Sequence, residues 1–132
     1  MKKTYVYHYE TYVNCFIAVF INIKDTNDIV KFEVSEYENK MPQFLAFLKD
    51  IKESCYLVSF NGLDFGAQIN NYCLKYSNQM GELKSSARLI YVFAKELIDI
   101  KKEKGYTTYR KEDLEFREID LASINNYNSK GS

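Results

Sequence analysis

Tryptophan is missing from this sequence, proline occurs once and glycine five times, so no Pro- or Gly-rich linker divides the chain. Cysteine is scarce as well. Cys15, Cys55 and Cys73 are odd in number, share no paired spacing and sit in apolar stretches. That argues against a disulfide framework or a zinc site and casts the thiols as small buried hydrophobes in a reducing cytoplasm. Neither charge is in excess. Lys plus Arg and Asp plus Glu both number 18, so the chain lacks the global basic field of a nucleic-acid binder and the acidic field of a mimic. No apolar run approaches the span of a bilayer, and the opening MKKTYVYHYE follows its lysines with tyrosines, a histidine and a glutamate. The expectation is a soluble, unprocessed, cytoplasmic protein. Much Tyr, Lys, Asn and Ile beside these absences points to an AT-rich genome, which concerns the host and not the chemistry.

What is present, 132 residues of which 46% are hydrophobic, suffices for one core and not for two. Thr4 to Glu10 are β-formers. CFIAVFINI, from Cys15 to Ile23, is a near-continuous run of β-branched and aromatic residues that predicts a central strand covered on both faces. KDTND, from Lys24 to Asp28, predicts a turn into IVKFEVSE, where Ile29, Lys31 and Glu33 alternate against Val30, Phe32 and Val34. This gives an antiparallel meander of three strands. Pro42 opens a helix with Phe44, Leu45, Leu48 and Ile51 on one face. CYLVSF, from Cys55 to Phe60, is a short buried strand reached through that crossover helix, which implies parallel pairing. Asn61-Gly62 ends it before a helix in FGAQINNYCLKY. A long helix is expected from Ser85 to Lys104, with Ile90, Phe93, Ala94, Leu97 and Ile100 inward and Gly105 as its stop. A last strand, Phe116 to Ile124, precedes a polar tail, 125–132.

YHYETYVNCFIAVF, FEVSE, FLAFLKDIKESCYLVSFNGLDFGAQINNYCLKY and REIDLASINNYNSKGS together resemble the N-terminal part of the proofreading 3′–5′ exonuclease domain of phage family B DNA polymerases. The resemblance covers most of the chain. It implies an α/β fold, a ribonuclease-H-like or exonuclease-like mixed sheet in the order βββαβααβ flanked by helices and incomplete at its C-terminal end, as one domain over 1–124. It also implies a two-metal site at the strand ends, built from an Asp-x-Glu on the first strand, an Asp after Phe at the start of the helix following the fourth, and a third motif on a later helix. Two divalent cations about 4 Å apart need anionic oxygen ligands. Here Glu10 matches the first motif's Glu, but His8 stands at its Asp and Gly66 at the second motif's Asp. The third motif is expected beyond Ser132. A site rearranged around His8, Glu10 and Asp64 or Asp120 is disfavoured, because imidazole prefers transition metals and a two-residue backbone shift exceeds the tolerance of such a site. His8 and Glu10, at i and i+2, share a strand face and are expected to hydrogen-bond as a relic pair. No cofactor or metal is expected.

Weaker signals remain. The cysteines are more plausible as packing than as nucleophiles beside His8, and SFNGLDFG lacks the Lys and spacing of a phosphate loop. Tyr5, Tyr7, Tyr9 and Tyr12 suit a core better than base stacking. Between residues 84 and 111 eight basic residues (Lys84, Arg88, Lys95, Lys101, Lys102, Lys104, Arg110, Lys111) face three acidic ones (Glu96, Asp99, Glu103), a local excess of eight minus three, or +5. Such a strip is either a solvated helix face or a phosphate-tracking surface. The expected function is that of a non-catalytic, exonuclease-derived phage protein binding single-stranded nucleic acid, RNA favoured, or a nucleoprotein complex. It would act as a regulator or as an inhibitor of host defence such as a CRISPR effector. The alternatives are a protein-interaction module and a residual nuclease.

Overall fold

A computed structural model of the chain describes residues 3–82 and 86–122. Its elements are β1 (Lys3–Tyr12), β2 (Cys15–Asn22), β3 (Asp25–Val34), α1 (Met41–Ile51), β4 (Cys55–Ser59), α2 (Gly66–Lys75), α3 (Ser77–Glu82), α4 (Ser86–Lys104), one 3-10 turn (Lys111–Asp113) and β5 (Arg117–Asp120). They form an α/β fold with a five-stranded mixed sheet in the order β3-β2-β1-β4-β5. The meander β1-β2-β3 is antiparallel, and β4 and β5 join it in parallel beside β1. Lys84 and the expected tail 125–132 lie outside the described residues, as does Ile124.

Period-two alternation decides which way each strand faces. Tyr5, Tyr7 and Tyr9 of β1, Phe16, Ala18 and Phe20 of β2, and Phe32 and Val34 of β3 are buried on one face. Against that face α1 packs Phe44, Leu45, Leu48 and Ile51, the predicted stripe. Phe20 is its centre: within 6.4 Å, centroid to centroid, lie the rings of Tyr5, Tyr7, Tyr9, Phe32, Phe44 and Phe47. The first three tyrosines are therefore core, and only Tyr12 is half exposed. Cys55 and Cys73 are buried and Cys15 is partly so, with burial pushing the Cys73 thiol far up. α4 adds Ile90, Phe93, Ala94 and Leu97, with Phe93 stacked on Tyr72 of α2 at 4.2 Å. It stops at Gly105, whose φ of +77° puts it in the left-handed region where glycine carries no Cβ penalty.

Four expectations need correction. β2 is not covered on both faces: Ile17, Val19 and Ile21 are only half-buried, because the helices pack on the other side. Lys24 to Asp28 is not a five-residue turn. Asn22 accepts the Lys24 N–H at 3.0 Å and donates to Asp28 at 3.2 Å, which closes a tight hairpin and lets β3 begin at Asp25 despite its polar residues. The polar run after Tyr76 conceals α3, a helical segment anchored by the fully buried Met80, so three helices rather than two separate β4 from β5. The last strand ends at Asp120, whose carboxylate accepts the Ala122 N–H at 2.9 Å and turns the chain into a helical turn.

Because Phe20 sits at the centre of the aromatic cluster, Phe20→Ala is expected to cost about 3–5 kcal/mol of unfolding free energy in urea titration. Phe60→Ala, at a side chain 71% exposed, should stay within about 0.5 kcal/mol. Equal effects would contradict this placement of the core.

Candidate nucleic-acid interface

The chain leaves β4 at Ser59 and runs through 60–65 into α2, along the C-terminal end of a parallel strand where open α/β sheets bind ligands. Asp120 at the end of β5 pins this loop. One oxygen accepts the Asn61 N–H at 2.8 Å and the other the Leu63 N–H at 3.2 Å. Asn61 is thereby held at φ +65°, a left-handed conformation that asparagine tolerates better than most residues. A Cβ on Gly62 would overlap Ser59 Oγ and Glu118 Oε1, so the loop closes down on the sheet only with glycine there.

Beneath the loop, Tyr7 and Ser59 both donate to Glu118 Oε1 at 2.6 Å. Glu118 Oε2 is buried without a hydrogen-bond partner. Burial, opposed by the two hydroxyl donors, raises the Glu118 carboxyl to about 7, and the same burial holds the Tyr7 hydroxyl well above its usual range. Gly66, at the start of α2, lies directly over Tyr7: a Cβ there would come within 2.5 Å of the Tyr7 hydroxyl oxygen. His8 and Gly66, the two positions where the resemblance implies aspartates, do line one small hollow of about 150 Å³ together with Tyr7 and Phe60. Glu10 is displaced from it along β1. His8 Nε2 and Glu10 Oε1 lie 2.7 Å apart, and Tyr12 donates to the other Glu10 oxygen at 3.2 Å. The His8 bond is the main cause that holds the exposed Glu10 carboxyl below its ordinary value. The two side chains thus form the expected i, i+2 pair.

Among the described residues no group of three or more His, Cys, Asp or Glu is arranged to hold a metal ion. The aspartates weighed for a rearranged site have other partners: Asp64 faces Lys101 at 3.6 Å, and Asp120 is committed to backbone amides.

The basic residues divide into groups. Lys101 and Lys102 line a second hollow with Asp64, Leu97 and Ile98, and this hollow shares Asn61 and Phe65 with the first. The C-terminal end of α4 therefore adjoins the strand-end loop, with Lys104 in the same last turn. Arg88, Lys95 and Lys102 recur every seven residues along the exposed side of α4. Arg88, some 21 Å from Lys102 at 1.5 Å per residue, borders a different hollow with Glu36 and Glu38. Arg110 is drawn out of the strip by Asp113 at 3.1 Å and Glu112 at 3.6 Å, and Lys111 stands in the 3-10 turn beside the same acids.

Phe60 and Glu118 are absent from the sequence reading of the site, and the loop-pinning role of Asp120 is absent too. The sequence places Phe60 at the end of a buried strand, yet it lies beyond β4 and is 71% exposed. Glu118 and Asp120 alternate with Arg117 and Ile119, and that spacing turns both acids toward the covered face, a signal the sequence carried.

The raised Glu118 carboxyl has a consequence for stability. Folded chains hold its proton up to about pH 7, whereas unfolded chains release it near the ordinary 4.5. Within that window the folded state binds more protons, so this contribution to stability is full below it and is lost as pH rises through it. Glu118→Gln keeps an oxygen for Tyr7 and Ser59 and is expected to flatten stability against pH there. It should exceed the parent above pH 7 by on the order of 1–3 kcal/mol in urea unfolding. Parallel pH profiles for the two proteins would contradict it.

Compared with protein-family models, curated proteins and solved structures, the chain finds no match, so the reading of this site rests on its own chemistry.

Proposed function

We propose that this protein is a non-catalytic relative of the ribonuclease-H-like 3′–5′ exonucleases that binds single-stranded nucleic acid, RNA favoured, at the junction of the strand-end loop and the C-terminal end of α4. The fold part of this reading is supported by the antiparallel meander followed by two parallel strands with helices between them. The observation that carries the functional part is one juxtaposition: exposed Phe60 stands on one side of the Asn61–Phe65 loop, and Lys101 and Lys102 stand on the other. An aromatic face for a base beside cations for the backbone is the minimal equipment for single-strand binding. The setting implied by the resemblance is phage regulation or inhibition of a host nucleoprotein defence.

Loss of nuclease chemistry is supported by more than the two substitutions. Restoring an aspartate at 66 would drive its Cβ into the ring of Tyr7, which is held by Glu118 and stacked on Phe20 at 5.7 Å. The residues now filling the site exclude the ligand that left it. A second reading, as a protein-interaction module, is favoured by the uncovered face of the sheet.

Fluorescence anisotropy with labelled single-stranded RNA and DNA tests the binding. Lys101, Lys102 and Lys104 changed together to Glu should weaken binding by at least about tenfold for every sequence and flatten its salt dependence. Phe60→Ala should cost about 1–3 kcal/mol with an unchanged salt slope. Absence of binding by the parent at low salt would remove this reading in favour of the interaction module. In the same preparations, neither the parent nor His8→Asp with Gly66→Asp is expected to degrade labelled strands with Mg²⁺ or Mn²⁺. Digestion abolished by Glu10→Ala would show that a metal site survives.

A further inference from the structure

On the face of the sheet turned away from the helices, one row is apolar from edge to edge. Paired across the strands, Ile29, Ile21, Val6, Val58 and Ile119 form one continuous row with a residue from every strand. Ile29, Val6 and Ile119 are exposed by 54, 41 and 40%, although parallel strands are ordinarily buried on both faces. We propose that this face is the docking surface for a second copy of the same chain, packed sheet against sheet.

The charges beside the row identify the occupant. The next row along the strands reads Lys31, Val19, His8, and the one after it Glu33, Ile17, Glu10. Base stands on the same strand as acid two residues on, with an aliphatic residue between the charged columns in both rows. A two-fold axis lying in the interface, perpendicular to the strands and midway between these rows, exchanges them. Lys31 then meets Glu33 of the copy and Glu33 meets its Lys31. His8 and Glu10 are exchanged in the same way, and Val19 packs on Ile17. The same operation sets Val6 against Tyr12 and Ile21 against Cys15, so the apolar contact is made by β1 and β2, while β4 and β5, which end at Ser59 and Asp120, lie at its margin. The pattern is its own complement, which is the requirement of an isologous contact. The axis also leaves the strands of the two sheets antiparallel, compatible with aligned face-to-face packing about 10 Å apart. α4 lies on the opposite side of the sheet, so the contact leaves Lys95 and Lys102 accessible.

Sedimentation of the full chain from low micromolar to sub-millimolar concentration tests this, with circular dichroism to verify folding. A monomer–dimer equilibrium is expected. Lys31→Glu and Glu33→Lys should each weaken it by about tenfold or more, because each places like charges opposite one another twice. The double variant, Lys31→Glu with Glu33→Lys, restores the complement and should recover most of the association. A chain monomeric at every concentration overturns the proposal, as does a dimer indifferent to the single reversals or a double variant weaker than both.

Discussion

Every assignment in this molecule hangs on the parity of β1. Once Tyr5, Tyr7 and Tyr9 are committed to the helix-covered face, strand geometry turns Val6, His8 and Glu10 outward. A slip of one residue would bury a histidine and a glutamate beneath α1 and expose three aromatic rings, so the register is strongly fixed. From that choice follow the stack of Tyr7 on Phe20, its bond to Glu118 two strands away and the close approach of Gly66. The outward pair, His8 and Glu10, is left to satisfy itself in solvent. The tyrosine that organises the core thus also leaves no room for a side chain at position 66.

The strand-end loop uses its carboxylates for structure. Asp120 satisfies three backbone N–H groups, and losing it would leave these donors without their acceptor close to the sheet. Glu118 is held by two hydroxyls in a setting that favours its neutral form. A carboxyl kept neutral adds little to the negative field that two divalent cations require, and the Asp120 oxygens are already engaged by amides. What remains at the surface of the loop is Phe60, an amide-rich turn and the lysines of α4, the groups on which the proposed strand binding rests.

Much of this was legible in the residues. The helical stripe of α1, the inward face of α4, the Gly105 stop and the three-strand meander all depend on local periodicity, which the sequence displays directly. The errors had two sources, a strand face whose cover depends on distant elements and local side-chain bonds that composition does not display. The apolar run of β2 reads the same whether its second face meets a helix or nothing, and only the crossovers placing every helix on one side distinguish the cases. Asn22 and Asp120 redirected the chain through side-chain bonds to backbone that composition does not reveal. The basic strip looks continuous in sequence because Glu112 and Asp113, which remove Arg110 from it, lie just past residue 111.

The two faces also bear on each other. On the proposed function, a single strip with two or three usable lysines would give a modest, salt-sensitive hold on a phosphate backbone. Two copies joined through their open sheet faces would carry two such strips on opposite outer surfaces, because α4 and the open face lie on opposite sides of the sheet. A strand long enough to reach both would meet the second strip at the effective concentration set by its own length, while a short one would gain nothing. Length dependence of binding therefore joins the sheet side to the helix side. It would arise from geometry alone, without any contact between the bound strand and the paired sheets.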